Sequence, residues 1–547
     1  MRSARTALYL ALFVVLALLA ACAAPVAAPA TGDAAAPAAE AAAPAASDAS
    51  LLVVGIAEDT ASLDPARAYE TLPTIIHKAT YETLVTFPAG SVDSIEPLLA
   101  DSWTISDDGL VYTFSLNPSA VFSNGDPVKA SDVVFSFNRM VNIKGNPSFL
   151  ADGIVGMEAP DDATFVLTLA NPDPAILAKL VFGAFSVTSQ AMVEAQGGTA
   201  AADAAETDTA EQWFNNNSAG SGAYVIEKWD PQVETVLVRN ENYYGTAPAI
   251  ERIIIRNLPE SATQKLQLEA GDLDIAFDLG ADQVAGLAGN ENVTVYEGLS
   301  DTLIFLKANN NPEISAEMSN PLVQKAVRLA LDYEGIRALA GGQSVTPASV
   351  LPVGFMGAFE ANSGPQRDIE GAKALLAEAG FGEGELAIEI TYPDFTFGGF
   401  NFGTFAQKIQ ADLQEAGFNA TLKPTELQVA LEAYRQGTEP FGLWLWLPDY
   451  RDSNDYLEFL PEGVVGTRTG WVDATGSDEI KAIRDAAKVE TDTPARIELF
   501  TQMQNYLIES GPYAAVVQPG LQVGLSKAVQ GFVYNPQWRV DLGLLSK

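Results

Sequence analysis

The chain has one cysteine, Cys22, and one histidine, His77, in 547 residues. No intrachain disulfide can form. A structural zinc site, which takes about four ligands, has too few residues to draw on. Any fold must therefore be held by buried apolar surface and hydrogen bonds alone. The material is present, since 48% of the residues are hydrophobic and the length corresponds to several domain-sized units. The formal net charge of −39 makes a surface that repels phosphate backbones and anionic lipid headgroups, so nucleic acid is not an expected partner.

Cys22 follows an address. Arg2 and Arg5 precede an apolar run over 7–20, shorter than the roughly 20 residues that span a bilayer. A positive start, an apolar middle and small residues at the end describe a secretory signal. The run closes on Leu19-Ala20-Ala21-Cys22, which resembles the bacterial lipobox. The resemblance implies that 1–22 is a lipoprotein signal and that Cys22 is lipidated as the new N-terminus. At about 0.8 kcal/mol per buried methylene, acyl chains can hold an acidic protein at a membrane face. Residues 23–50 are almost entirely Ala, Pro, Ser and acids. They bury too little to offset chain entropy, so a disordered tether is expected. The expected location is extracytoplasmic, on a lipid anchor.

The body alternates strand and helix patterns. Leu51 to Ile56 is a short apolar run that predicts a buried strand. Trp103 and Ile105 alternate with polar residues up to Asp107-Asp108-Gly109, and Leu110, Tyr112, Phe114 and Leu116 alternate after it. That pattern predicts a hairpin, with glycine supplying positive φ. A second hairpin is expected around Pro160-Asp161-Asp162, and a helix start at Ser131 and Asp132. Later, Asn320-Pro321 opens an amphipathic pattern through Val323, Ala326, Val327, Ala330 and Leu331. Asp368 and Gly380 bracket another helix. Leu386, Ile388 and Ile390 alternate as a strand, Phe405, Ile409 and Leu413 share a helical face, and Phe418, Ala420 and Leu422 alternate again. This strand–helix–strand series predicts a parallel pair in an α/β layer.

Catalytic motifs are missing. There is no Gly-x-Ser-x-Gly elbow, no Gly-x-x-x-x-Gly-Lys loop and no His-Glu-x-x-His. His77 lies in the apolar stretch Ile75-Ile76-His77-Lys78 and reads as a packed residue. Asp449, Asp452 and Asp455 recur every third residue, but Asn454 and Leu460 stand where a calcium loop needs glycine and an acid. No catalytic residue, cofactor or metal is expected.

Several stretches, in order, resemble the extracellular solute-binding proteins of family 5, the peptide, oligopeptide and nickel group. These are Leu63-Asp64-Pro65; Pro97-Leu98-Leu99-Ala100-Asp101-Ser102-Trp103; Phe122-Ser123-Asn124-Gly125-Asp126-Pro127-Val128; Gly220-Ser221-Gly222-Ala223-Tyr224 with Tyr243-Tyr244-Gly245; Ala372 to Gly380; and Trp446-Leu447-Pro448-Asp449-Tyr450. The resemblance covers nearly all of the body. It implies an α/β, two-lobed periplasmic-binding-protein-like fold with a ligand cleft between the lobes and a strand-rich extra subdomain in the first. The first lobe would hold 51–300 with a C-terminal return over 514–547, and the second 301–513, with hinges near 298–301 and 511–514. The implied function is that of a substrate-binding lipoprotein of an ABC importer. It would act as a monomer that captures a peptide or similar small solute and hands it to the permease and ATPase subunits.

The same resemblance places ligand contacts. Asp449 falls where peptide-binding relatives set an aspartate against the ligand ammonium. Trp444, Trp446 and Tyr450 surround it as pocket or core aromatics, alternation putting the two tryptophans on one face. Glu58, Asp59 and Thr60 follow the first strand, where an extended peptide can pair with an edge. Dipeptide-binding relatives carry an arginine after the 386–390 strand. Here that stretch is Pro393-Asp394-Phe395-Thr396-Phe397-Gly398-Gly399-Phe400, without one, so longer peptides, oligosaccharides or another organic solute stay open. Two rival readings remain. A secreted carboxylate-dependent glycoside hydrolase needs two carboxylates facing across a cleft. A surface solute sensor needs a persistent exposed patch.

Overall fold

A computed structural model describes residues 49–547. The expected signal with Cys22, and the tether as far as residue 48, lie outside the described residues. In chain order, the strands of the three larger sheets begin with β1 (Leu51–Ile56), β2 (Ala100–Ile105), β3 (Val111–Leu116), β4 (Ile154–Glu158) and β5 (Thr164–Leu169). They continue with β6 (Tyr224–Asp230), β7 (Glu234–Arg239), β8 (Arg252–Asn257), β9 (Ile275–Ala276), β10 (Val293–Leu299) and β11 (Leu303–Ala308). The last are β12 (Ala387–Pro393), β13 (Asn419–Thr425), β14 (Phe441–Trp446), β15 (Tyr513–Val517) and β16 (Gly520–Ser526).

The first sheet has seven strands in the order β10-β16-β9-β1-β8-β7-β6. β1 is central, parallel to β8 on one side and to β9 on the other. Its apolar run serves two faces: Leu52, Val54 and Ile56 enter one core, and Val53 another. Helix α1 (Thr71–Thr80) brings Leu72, Ile75, Ile76 and Ala79 to the first of these cores. His77, on the same helix, is buried, with Nε2 3.0 Å from the Leu63 carbonyl, and burial pushes its pKa down to about 4.

The second sheet has five strands in the order β13-β12-β14-β11-β15. β12 and β13 are parallel, as the alternating pattern predicts. Ile304 and Leu306 of β11 face one core, Leu303 and Phe305 the other, so this sheet is covered on both faces. The helices that pack on the first of these faces include α3 (Pro321–Ala330), α4 (Ile369–Glu378) and α5 (Phe402–Glu415). Asn320 caps the first by accepting from Leu322 N at 2.9 Å, and Asp368 caps the second by accepting from Gly371 N at 2.8 Å.

The third sheet, β2-β3-β5-β4, is antiparallel and built from the two expected hairpins. Gly109 turns the first of them at φ 72°. The helix expected to start at Ser131 begins one residue earlier, as α2 (Ala130–Ile143). Asp132 stands inside its first turn and accepts from Lys129 N at 3.0 Å and Gln190 N at 2.9 Å.

The chain passes between the seven- and five-stranded sheets twice. One passage joins β10 to β11, the other β15 to β16. The passages are tied together: Ser300 Oγ donates to Pro519 O at 2.7 Å, and Gln518 Nε2 donates to Ser300 O at 2.7 Å. The expected boundary at 511–514 falls at the start of β15, which pairs with β11.

Candidate functional site

β14 ends at Trp446, and the loop after it carries Asp449, Tyr450 and Arg451 into a short helical turn, Ser453–Phe459. Asp455, fully buried in that turn, braces the loop. Its Oδ2 accepts from Trp446 Nε1 and from the Asp449 backbone N–H, each at 3.1 Å. Asp452 caps the turn through Asn454 N at 2.8 Å and pairs with Arg496. The three aspartates thus have separate partners. Among the described residues no group of three or more His, Cys, Asp or Glu side chains is placed to hold a metal ion.

Arg451 points to the first passage between the sheets, with Nε 2.8 Å from Asp301 Oδ2 and its guanidinium 3.6 Å over the Phe355 ring. Tyr450 points the other way. It is buried in the core that the strand-rich hairpins build, with Lys179 Nζ 5.0 Å from its ring.

Asp449 also meets residues from the far side. The Tyr69 hydroxyl donates to Asp449 Oδ1. Tyr69 sits on the loop before α1, and buried charge holds that loop. Arg139 grips Asp64 with two bonds of 2.7 Å and reaches Asp208 through Nε at 2.8 Å. The Asp64 carbonyl in turn accepts from Arg67 N and Ala68 N. The Tyr69 ring packs against Phe149 and Phe182, each at 5.8 Å between centroids. Phe149 is 40% exposed. Its turn reaches Tyr69 because Gly145 passes so close to Ala66 that a Cβ would stand 2.5 Å from the Ala66 carbonyl oxygen.

Electrostatically the pair is unbalanced. Burial pushes the Asp449 carboxyl up to about 7, the Tyr69 bond and Arg468 pulling it down and Glu458 pushing it further up. Burial, then Asp449, holds Asp455 above the carboxylate range. Among the described residues no lysine or arginine lies within ion-pairing distance of Asp449. A carboxylate desolvated without a cation is costly. The two aspartates lie on one loop, and Asp455 bonds its neighbour's backbone. They do not flank a bond from opposite sides as a glycosidase pair does.

The remaining expected contacts lie elsewhere. Trp444 is 3% exposed, donates to Glu439 Oε2 at 2.7 Å and stacks on Tyr434 at 4.3 Å, so it is a core residue. Trp446, on the same face, is half-buried and borders that core. Glu58 pairs with Arg539 at 2.6 Å, and burial pushes its pKa up. Asp59 is half-buried, and the buried Thr60 bonds within its own loop, to Ser62 O at 2.9 Å. The strand before them offers no free edge, because β1 is paired on both sides, and Ala57 N already donates to Asp278 Oδ2 at 2.7 Å. Tyr69 and Phe149 escape a sequence reading, since nothing in their local patterns marks proximity to Asp449, whereas Asp455 belongs to the every-third-residue aspartate series.

Residues 94–464, more than half of the chain, match the family model described as bacterial extracellular solute-binding proteins, family 5 Middle. The chain belongs to this family. It is 28% identical over 495 residues to the probable D,D-dipeptide-binding periplasmic protein DdpA of Escherichia coli K12, covering 89% of this chain and 92% of that one. Its fold resembles the periplasmic binding protein DppA of Helicobacter pylori, solved in complex with the peptide STSA, with TM-score 0.76, 24% identity and coverage of 91% and 98%. It equally resembles AgaA of A. tumefacien R10, solved with agropinic acid, with TM-score 0.74, 22% identity and coverage of 91% and 98%. The family 5 chain described here thus has the mixed α/β, two-lobed binding-protein fold, and its family consists of solute-binding proteins rather than enzymes.

Proposed function

We propose that this chain is the capture component of an ABC importer, held outside the cytoplasmic membrane by lipid on Cys22, and that it takes a peptide by its N-terminal ammonium at Asp449. The observation that carries the reading is a desolvated carboxylate with a phenol beside it and, among the described residues, no cation within ion-pairing distance. An ammonium placed there gains a charge-assisted bond and relieves the desolvation at once. The peptide-binding names of the relatives agree with that chemistry.

The lobes are the parts built on the seven- and five-stranded sheets, hinged at the passages through 300–302 and 518–519. Arg451 ties the Asp449 loop to Asp301 in the first passage, so seating a ligand on the loop is coupled to the hinge, and lobe closure is the working motion. A monomer suffices for this cycle, with the permease and ATPase as partners. Trp446 flanks the ligand, Trp444 supports it from the core they share, and Tyr450 anchors the loop in the core of the strand-rich hairpins. Glu58 and Asp59 lie at the end of β1, where the far end of a ligand can reach. Among the described residues no helix is long and apolar enough to cross a membrane.

Calorimetric titration of the full chain in detergent with short peptides and oligosaccharides tests the ligand. Peptide binding that Asp449→Asn abolishes supports the reading, and binding of sugars alone overturns the ligand class. Labelling with a clickable fatty acid tests the anchor, and a Cys22→Ala chain that keeps the label rejects it.

A further inference from the structure

We propose that Tyr69 is a second ligand-binding group of this site and sets its selectivity for a primary ammonium: the phenol gives its proton to Asp449 and turns its lone pairs to the same ligand nitrogen. This rests on the peptide reading and adds to it a partner from the opposite lobe.

The stoichiometry of donors carries the argument. A phenol has one proton and two lone pairs. Tyr69 spends its proton on Asp449 Oδ1 and has only acceptor capacity left. The other carboxylate oxygen shares a carbon with Oδ1, so a nitrogen bonded there stands beside the phenol oxygen. Together the two groups present an acceptor-only corner, which is satisfied by a nitrogen carrying at least two N–H bonds. A free N-terminus carries three. A dimethylated one carries a single N–H with the same charge.

The corner is rigid from both sides. Phe149 and Phe182 clamp the Tyr69 ring, and the Asp64–Arg139 pair holds its loop. Asp455 fixes the Asp449 backbone. Burial and the neighbouring Asp449 raise the Tyr69 phenol far above its usual range, so it keeps its proton and its role as donor to Asp449.

The test is calorimetric titration of the full chain with trialanine, or the tightest-binding peptide of the panel, and with its Nα,Nα-dimethyl form. Three proteins are compared: the unmodified chain, Tyr69→Phe and Asp449→Asn. The unmodified chain is expected to favour the free amine by tenfold or more. Tyr69→Phe is expected to weaken the free peptide roughly tenfold, the worth of one hydrogen bond to a charged group, and to shrink the preference by a similar factor. A purely structural effect of the substitution lowers both peptides equally and leaves the ratio unchanged, which overturns the proposal. Tighter binding by Tyr69→Phe also overturns it, because the phenol then competes with the ammonium. Undiminished binding by Asp449→Asn, or no peptide binding by the unmodified chain, defeats the peptide reading and this inference with it. Loss in Asp449→Asn with an unchanged ratio in Tyr69→Phe defeats this inference alone.

Discussion

Two clusters of buried acid in this molecule are built on opposite terms. Around Arg139, two carboxylates meet two guanidiniums: Arg139 grips Asp64 with both terminal nitrogens and reaches Asp208 through Nε, and Arg67 stands 3.4 Å from Asp64 and 3.6 Å from Asp208. Burial disfavours the Arg139 charge, but Asp64 and then Asp208 more than restore it, and the Arg139 pKa is raised. Around Asp449, two carboxylates meet a phenol, an indole N–H and a backbone N–H, with no cation in ion-pairing distance among the described residues. The first cluster is complete, and its work is to hold the loop that carries Tyr69. The second is left short of one positive charge. Charge that is buried and paired supports a fold, and the proposed function takes the unpaired carboxylate as the ligand's anchor.

The largest effect is expected at the Arg139 cluster. Arg139→Ala strips two buried carboxylates of their short bonds, leaving only the longer Arg67 contacts, and is expected to cost about 3–5 kcal/mol of stability. Denaturant unfolding reads this as a lowered midpoint. A loss under 1 kcal/mol means that the cluster is not what holds the loop.

Asp449→Asn is expected to behave in the opposite way. Peptide affinity falls by about 2–5 kcal/mol, since a charge-assisted bond is lost. Stability at neutral pH holds or rises, because a desolvated negative charge is gone. Equal losses in binding and stability place Asp449 with the structural cluster.

The pH dependence sharpens the same contrast. In the folded chain Asp449 titrates near 7, above its ordinary value of 3.8, because of burial first. The folded state therefore holds this proton more tightly than the unfolded one, and ionising Asp449 costs stability as pH rises between those values. A ligand cation binds the ionised form, so affinity is expected to fall up to about tenfold per unit as pH drops below 7. Glu458, Arg468, Tyr69 and Asp455 are the charged and titratable groups that act on it. Titrations from pH 5 to 8 check this, and the slope is expected to vanish in Asp449→Asn.

The smallest effect supplies the yardstick. Asn320→Ala removes one helix cap far along the chain from both clusters and is expected to cost about 1 kcal/mol, with ligand affinity unchanged.

Local pattern carried far in this chain. The two hairpins, the caps at Asn320 and Asp368, and the parallel β12–β13 pair all follow from spacing within a dozen or so residues. The packed reading of His77 follows from its apolar neighbours. Trp444 and Trp446 share a face, as alternation requires, but alternation does not say that Glu439 and Tyr434 close over the first and leave the second at the border. That the Leu51–Ile56 strand has no open side stays hidden for a similar reason. A strand's own residues do not record that β8 and β9 occupy both of its sides.

The sequence by itself determined which elements form, that no disulfide or zinc staple holds them, and that Asp449 is a candidate by resemblance. Tertiary structure alone decided what Asp449 meets. Tyr69 lies 380 residues away in the chain, and Arg139 is separated by 75 from the Asp64 that it grips. Helix and strand periodicity are short-range properties of a chain. The balance of buried charge is a property of the whole fold, set only when distant segments exclude water from the same place.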